Sequence, residues 1–240
     1  MAKVKYNKAV IKISGEEFGT GIDTDSVNFI AQEIKDAVTC GARLGLVVGG
    51  GNVVRGSELA KLGTTRAQAD DAGMVATVIN ALVLQNALER IGVKTATQSV
   101  LEIRGLVEPY NRRSCSKYLD EGRVVILAGG TGNPYLTTDS AAAIKALELG
   151  ADVLLKATKV EGVCSTDPLV DPGAKLFHRL TYNQVLDDKF KRLFDPTAVT
   201  LCRDNRLPII IFKLKTRHNI RKVIEGEPIG TFIAEDGDKR

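Results

Sequence analysis

Short apolar runs of strand length alternate along this chain with segments whose apolar residues recur at helical spacing. That alternation is typical of β-α-β units, in which buried strands pair in parallel and helices cover the sheet. The predicted strands are 10–14, 44–48, 93–96, 124–127, 153–156, 209–212 and 231–233, and the predicted helices run from 27 to about 41 and from 72 to about 92, and over 141–149, 198–205 and 220–224. The order predicts an α/β fold, a three-layer αβα sandwich with a mostly parallel central sheet.

No linker rich in Pro, Gly or Ser interrupts this alternation, so we expect a single domain over residues 1–240. The 44% of hydrophobic residues is enough for a sizeable core. A net charge of +4 with mixed signs, no block of basic residues and no Trp argue against nucleic acid as a partner. No run of eighteen apolar residues occurs and the N-terminus has no apolar signal core, so we expect a cytoplasmic protein without a membrane segment.

Cysteine and histidine offer little chemistry in this chain. Four scattered cysteines without a Cys-x-x-Cys pair predict buried, reduced thiols instead of disulfides or a zinc site (Cys40, Cys115, Cys164 and Cys202). His178 and His218 are the only histidines, and neither has a second histidine within a helical turn. Metal chelation and Ser-His-Asp catalysis are therefore disfavoured, and no residue is predicted to ligate a metal directly.

Two glycine turns follow predicted strands, where ligands bind in open α/β sheets. In the first, Lys12 precedes Gly15, which would let main-chain N–H groups approach a phosphate; an edge lysine before an ordinary turn reads equally well. In the second, three glycines at 49–51 precede Arg55, and a helix beginning there would direct its positive end at an anion. The alternative is a flexible tight turn. Neither turn forms a Walker A or a Gly-x-Gly-x-x-Gly motif.

A third loop, residues 129–140, combines glycines with four serine or threonine hydroxyl groups and an aspartate before a predicted helix. Thr138 or Asp139 can simply cap that helix. The loop has more donors than a cap needs, which favours contacts to a phosphate and to the polar edge of a base or sugar. A fourth segment, 156–163, adds Lys156 and Lys159 and is followed by Asp167. Solvated lysines and a plain turn explain that segment as readily as phosphate binding does.

Together these segments resemble the amino-acid kinase superfamily and, within it, the bacterial UMP kinases. The resemblance covers the chain from about residue 11 to about 233 and rests on residues 12–16, 49–56, 131–140 and 155–163, of which 132–139 are the most specific. It implies phosphoryl transfer from ATP to UMP, with Mg²⁺ accompanying ATP.

The resemblance implies roles at matching positions. Residues implied to act in catalysis are Lys12, Arg55, Asp139 and Lys156, with Asp139 orienting the lysines. Residues implied to bind ATP are Lys12, Ile13, Ser14, Gly15, Gly51, Arg55, Thr158, Cys164 and Asp167. Residues implied to bind UMP are Gly50, Asp70, Thr131, Gly132, Asn133, Pro134, Tyr135, Leu136, Thr137 and Thr138.

Two departures qualify these implications. Cys164 stands where the family usually has an aromatic residue near adenine, which changes how the base packs. The stretch 17–22 is shorter than in enterobacterial-type members, where it belongs to the GTP-activation region, so activation by GTP stays open. Inhibition by UTP and a homo-oligomer, a hexamer built from dimers, are also implied.

The implied reaction needs no histidine, because the phosphate of UMP is already nucleophilic near neutral pH, with a second pKa of about 6. Two rival functions stay open. One is another kinase of the superfamily, acting on carbamate, aspartate, acetylglutamate or isopentenyl phosphate. The other is a non-catalytic nucleotide or oxyanion binder on the same frame.

Overall fold

One sheet runs through the computed structural model of the chain, which describes residues 4–166, 168, 170–171, 173–187 and 194–238. Its strands are β1 (Lys8–Ile13), β2 (Arg43–Val48), β3 (Thr95–Ser99), β4 (Glu108–Pro109), β5 (Val124–Ala128), β6 (Val153–Thr158), β7 (Arg179–Leu180), β8 (Ile209–Lys213) and β9 (Thr231–Ile233). Their order across the sheet is β4-β3-β5-β2-β1-β6-β8-β9-β7. Every neighbouring pair is parallel except β8 and β9, so the predicted mostly parallel sheet is confirmed.

Helices cover both faces of this sheet. They are α1 (Thr24–Thr39), α2 (Gly56–Ala60), α3 (Arg66–Arg90), α4 (Arg112–Asp120), α5 (Thr138–Leu149), α6 (Tyr182–Val185), α7 (Pro196–Asp204) and α8 (Asn219–Glu225), with a 3-10 helix at Gly15–Phe18. Buried residues of α1, α3 and α8 share one apolar cluster, and those of α4, α5, α6 and α7 share the other. Ile11 and Ile13 point into the first cluster and Val10 into the second, which makes β1 apolar on both sides. The three-layer prediction is confirmed.

Helix α3 is longer than predicted and leaves part of its apolar side exposed. It begins at Arg66, after a capping box in which the Thr65 side chain and the Gln68 side chain each accept from the other's backbone N–H. Two of its large apolar residues face outward, since Val75 and Ile79 are 48% and 40% exposed. Small and polar residues face the sheet in their place, together with Leu84 and Leu88. By length and apolar content α3 could also cross a membrane, yet half of that apolar window is buried inside this fold.

Other differences from the sequence prediction are local. Strand β3 begins at Thr95 and not at residue 93, and the short elements α2, α4, α6, β4 and β7 were not predicted. The cysteine prediction is half right: none of the four forms a disulfide, but only Cys115 and Cys202 are buried. Burial raises the pKa of these two thiols, to about 11 and about 12. Cys40 and Cys164 are half-buried.

Candidate active site

The carboxyl ends of β1, β2, β5 and β6 lie side by side, which brings the glycine turns of the sequence together. The backbone N–H of Gly49 donates to the carbonyl of Ile13 over 2.8 Å. A Cβ on Gly15 would come within 2.5 Å of the nitrogen of Gly51, and one on Gly49 within 2.6 Å of the nitrogen of Gly15. Glycine is therefore required at positions 15 and 49, because the two main-chain turns are in contact there. The alternative that the second turn is merely flexible does not hold.

Two lysines and one aspartate form a buried cluster at these strand ends. Lys12 on β1 and Lys156 on β6 are register partners in the parallel ladder. Asp139, in the first turn of α5, lies between them: its Oδ1 is 2.9 Å from Lys12 Nζ and its Oδ2 accepts from Lys156 Nζ over 2.7 Å. The exposed fractions of the three residues are only 8%, 8% and 7%. Lys12 also donates to the hydroxyl of Ser14 over 3.0 Å.

Burial and charge act in opposite directions on this cluster. Burial favours the protonated form of Asp139, but the two ammonium groups outweigh it and hold the pKa of Asp139 at about 2. Burial lowers the pKa of Lys156, and the carboxylate of Asp139 opposes that change. With the carboxylate ionised and both lysines protonated, the cluster carries one net positive charge, which suits an incoming phosphoryl group.

A cavity of about 340 Å³, called here the loop cavity, opens between α3 and the 129–137 loop. The residues that line it are Gly50, Gly51, Val54, Gly56, Arg66, Ala69, Asp70, Gly73, Met74, Thr77, Gly130, Thr131, Leu136, Thr137 and Thr138. The glycine main chain and the threonine hydroxyls in this lining offer hydrogen-bond donors and acceptors to a polar ligand. The volume lies at the lower end of the range of small-molecule sites.

Asp70 links α3 to the far side of the loop cavity. Its Oδ2 accepts from the backbone N–H of Tyr135 over 2.7 Å. Tyr135 has a positive φ of 70°, which is uncommon for a residue other than glycine. Arg66 stacks over the Tyr135 ring with its guanidinium carbon 5.1 Å from the centroid. The tip of the loop is thus fastened to α3 through one carboxylate and one guanidinium group.

A second cavity of about 570 Å³, called here the basic cavity, lies beyond the glycine turns. Its lining consists of Glu16, Gly19, Thr20, Gly21, Gly51, Asn52, Val53, Arg55, Glu58, Lys159 and Lys215. Glu16 pairs with Lys159 over 3.0 Å and with Arg55 over 3.4 Å. The hydrogen bond from Lys159, ahead of the more distant charges, lowers the pKa of Glu16. Gly51 lines both cavities, so ligands in the two would approach each other there.

Many of the residues singled out in the sequence meet at this place. Those that form the ion cluster or line a cavity are Lys12, Asp139, Lys156, Gly50, Gly51, Arg55, Asp70, Thr131, Leu136, Thr137 and Thr138. Gly132, Asn133, Pro134 and Tyr135 belong to the same loop but do not line its cavity. Asn133 donates its backbone N–H to Thr131 Oγ1 over 3.1 Å, so these two residues brace the loop itself.

The remaining predicted positions lie nearby or outside the described residues. Thr158, at the end of β6, donates to the carbonyl of Val160 over 2.9 Å. Cys164 is half-buried in an isolated antiparallel bridge with Leu176. Asp167 lies outside the described residues.

Two local predictions about helix starts are wrong. The glycines 49–51 do not begin a helix: they lead into a hydrogen-bonded turn, and α2 begins only at Gly56. The main-chain N–H groups of this turn therefore have no helix behind them. The cap of α5 is neither Thr138 nor Asp139 but Thr137, whose hydroxyl accepts from the N–H groups of Asp139 and Ser140.

Sequence reasoning missed the polar residues of α3 that brace the glycine turns. The side-chain amide of Asn80 donates to the Gly49 carbonyl over 2.7 Å. The hydroxyl of Thr77 accepts from the backbone N–H of Gly129 over 2.7 Å. Both residues are buried. The sequence did offer one indication of them, namely polar residues at positions of α3 that lie among apolar ones. Lys215 in the basic cavity was missed because it is far from every glycine motif in sequence.

Comparison with known proteins shows the family and the fold to which this chain is similar. The profile of the amino acid kinase family matches residues 7–213. A UMP kinase from Bacillus anthracis superposes with a TM-score of 0.92 at 32% identity, over 97% of this chain and 97% of that one. A UMP kinase from Ureaplasma parvum gives 0.88 at 33% identity, over 96% and 100%. A uridylate kinase from Archaeoglobus fulgidus gives 0.75 at 27% identity, over 95% and 100%.

Proposed function

Because the chain belongs to the amino acid kinase family, we propose that it transfers the terminal phosphoryl group of ATP to UMP, giving ADP and UDP. The observation that carries this proposal is the Lys12–Asp139–Lys156 cluster at strand ends where two cavities share the main chain of Gly51. Similarity above 30% identity to two UMP kinases over nearly the whole chain supports the choice of UMP as acceptor.

We assign the loop cavity to UMP and the basic cavity to the phosphates of ATP. The threonine-rich rim at 131–138 and the Asp70 carboxylate suit the many polar groups of a uridine monophosphate. Arg55, Lys159 and Lys215 give the basic cavity three cations against two carboxylates, which suits a polyphosphate. The residues proposed to contact ATP beyond this cavity are Ile13, Ser14, Gly15, Thr158, Cys164 and Asp167.

In the proposed reaction a phosphate oxygen of UMP attacks the γ-phosphorus of ATP in line, and the bond from that phosphorus to the β-bridging oxygen breaks. Lys12 and the N–H groups of Gly50 and Gly51 stabilise the charge on the moving group. Asp139 holds Lys12 and Lys156 in place and takes no proton, which agrees with its low pKa. No general base is required, because the acceptor phosphate is ionised near neutral pH.

The carboxylates of the site fit Mg²⁺ that enters with ATP and not a resident ion. Asp139 is engaged by two lysines and Glu16 by Lys159 and Arg55, whereas Glu58 also lines the basic cavity and could face a nucleotide-bound metal. Among the residues the structure describes, the one cluster of three potential metal ligands is Glu33, Asp36 and His218, and none of them lines either cavity. When bound, Mg²⁺ supplies charge neutralisation at the β- and γ-phosphates.

We further propose that the whole chain, 1–240, is one catalytic domain that acts in the cytoplasm in pyrimidine nucleotide biosynthesis. A homohexamer agrees with the apolar face that α3 leaves exposed at Val75 and Ile79. UTP is the expected inhibitor, since it presents the same base to the loop cavity. Activation by GTP is a separate question, because the 17–22 stretch is short.

One assay tests the function directly. ADP release is measured with ATP, Mg²⁺ and each of UMP, CMP, AMP and GMP, with light scattering on the same sample for the oligomer. We expect UMP to exceed AMP and GMP by a factor on the order of 10⁴, because a site built to hydrogen-bond one base leaves polar groups unpaired with another. Equal rates across the panel would overturn the assignment, and ATP binding without ADP release would favour a non-catalytic relative.

A further inference from the structure

A carboxylate outside both cavities accepts a hydrogen bond from a residue that lines the loop cavity. Resting on the proposed function, we propose that Asp195 is a positioning residue for the acceptor: it fixes the hydroxyl of Thr137 and thereby sets both the 129–137 loop and the start of α5. Asp195 lines neither cavity and precedes α7 by one residue.

Asp195 joins the starts of two helices. Its Oδ1 accepts from the backbone N–H of Thr197 over 2.9 Å and so caps α7. Its Oδ2 accepts from the hydroxyl of Thr137 over 2.7 Å and also from the hydroxyl of Ser140. Thr137 in turn caps α5, the helix that carries Asp139. A single carboxylate therefore ties α7 to the junction between the loop and α5.

The direction of these hydrogen bonds explains why a carboxylate is needed. A threonine hydroxyl has one hydrogen and two lone pairs. In Thr137 the hydrogen goes to Asp195, which leaves the lone pairs for the N–H groups of Asp139 and Ser140. A group that donated a hydrogen bond to Thr137 would occupy one of those lone pairs and weaken the cap. Asp195 accepts at both oxygens, which an asparagine of the same shape cannot do.

A second contact brings the same segment to the ion cluster. The ring of Phe194 lies under Lys156, with Nζ 4.5 Å from the ring centroid. Burial lowers the pKa of Lys156, and the charge of Asp195 adds to that of Asp139 in opposing this change. Asp195 thus contacts the junction between the loop and α5, and Phe194 contacts Lys156. Both contacted groups face the proposed position of the reacting phosphates. Neither residue has to contact a nucleotide for this effect.

The test uses Asp195→Asn in the full chain, with steady-state kinetics for UMP and for ATP. We expect the KM for UMP to rise by roughly 10-fold, the scale set by one hydrogen bond to a charged group, while the KM for ATP stays within about two-fold. Asp204→Asn is the matched control: it removes the same charge from the same helix, where Asp204 pairs only with the neighbouring Arg203 among the contacts described. Its kinetics should equal those of the unmodified chain.

A double-variant cycle isolates the route through Thr137. Thr137→Val removes the hydroxyl, and adding Asp195→Asn to it should cost less than about a further two-fold, because the bond is already lost. Thr137→Ser keeps the hydroxyl, so Asp195→Asn on that background should retain its full effect. Should Asp195→Asn fail to fold, Thr137→Val alone still tests the same bond from its other end through the KM for UMP.

The possible outcomes separate this inference from the function on which it rests. If the unmodified chain does not convert UMP, the proposed function fails and the positioning role fails with it. If the unmodified chain is active and Asp195→Asn leaves the KM for UMP unchanged, only the positioning role is refuted. A fall in melting temperature with equal changes in both KM values, or additive effects in the cycle, would reduce Asp195 to a structural cap of α7.

Discussion

Replacing Asp139 by asparagine tests the electrostatic reasoning about the buried ion cluster. The pKa of Asp139 is held at about 2 against an ordinary 3.8, because the two lysines outweigh the opposing effect of burial, and this net difference corresponds to roughly 2–3 kcal/mol in favour of the ionised carboxylate. The substitution keeps the shape of the side chain and leaves Lys12 and Lys156 buried without their anion. Removing one partner from a buried ion cluster typically costs about 3–5 kcal/mol of the free energy of unfolding. We expect a loss in that range at pH 6.

The pH dependence of this loss gives the sharper test. In the unmodified chain the contribution of Asp139 is complete above pH 3.8 and is lost as the pH falls towards about 2. In the variant the pKa of Lys156, already lowered by burial, falls further because its main opposing anion is gone. The folded variant then binds fewer protons than the unfolded chain over the window between that lowered pKa and 10.5, so its stability rises with pH there. The deficit should be smaller at pH 9 than at pH 6.

The measurement is urea unfolding followed by circular dichroism at pH 6 and pH 9, at one fixed protein concentration because an oligomer's stability depends on it. Asp120→Asn is the control, since Asp120 forms an exposed pair with Arg43 that should contribute no more than about 1 kcal/mol. A loss for Asp139→Asn no larger than that of the control, or a deficit that grows with pH, would refute the account of the cluster.

Four further substitutions concern the same site. Lys12→Ala should lower kcat by roughly 100-fold or more, as measured by ADP release, and near-normal turnover would retire its role. Gly50→Ala should destabilise the fold by about 1–3 kcal/mol in a thermal melt, because its Cβ would meet main-chain atoms of α3 at 2.7 and 2.9 Å. In Gly51→Ala the new Cβ meets nothing within 4 Å, so this variant should keep the melting temperature of the unmodified chain and raise the KM for ATP. A lower melting temperature for Gly51→Ala than for Gly50→Ala would contradict this. Thr77→Val leaves the buried N–H of Gly129 without its acceptor and should lower the free energy of unfolding by about 1–3 kcal/mol, as measured by chemical denaturation. An unchanged free energy of unfolding would contradict the stabilising role of this hydrogen bond.

The fold was predictable from the sequence wherever a strand is apolar on both faces. Strands β1, β2, β5, β6 and β8 read as continuous apolar runs because helices cover both sides of the sheet. Short edge strands carry no such signal, which is why β4 and β7 escaped prediction. The face of helix α3 that packs inward could not be identified from apolar size, because small and polar residues pack against the glycine turns and leave Val75 and Ile79 outside. An analysis of hydrophobic periodicity gives most weight to large apolar residues, so it does not detect a packing face made of small and polar residues.

The residues of the candidate site likewise fall into those with a local sequence signal and those without one. Lys12 and the glycines were recognisable from local motifs at strand ends, and the roles proposed for Asp139 and Asp70 came from family resemblance. Asp195 and Lys215 carry no local signal, since their proximity to the site depends on how distant segments pack. Thr137 was seen as part of the loop, yet its function as the helix cap depends on a backbone conformation that the neighbouring threonine could have adopted equally well.

The pairing of Lys12 with Lys156 also bears on how the chain acquires activity as it folds. The two lysines become neighbours only when β1 and β6 join in parallel, although most of the helices and strands of the site lie between them in sequence. Pairings of such large sequence separation form slowly, because a long loop must close before any contact compensates for the lost entropy. After dilution from denaturant, helical signal should therefore return before catalytic turnover, which would report completion of the centre of the sheet.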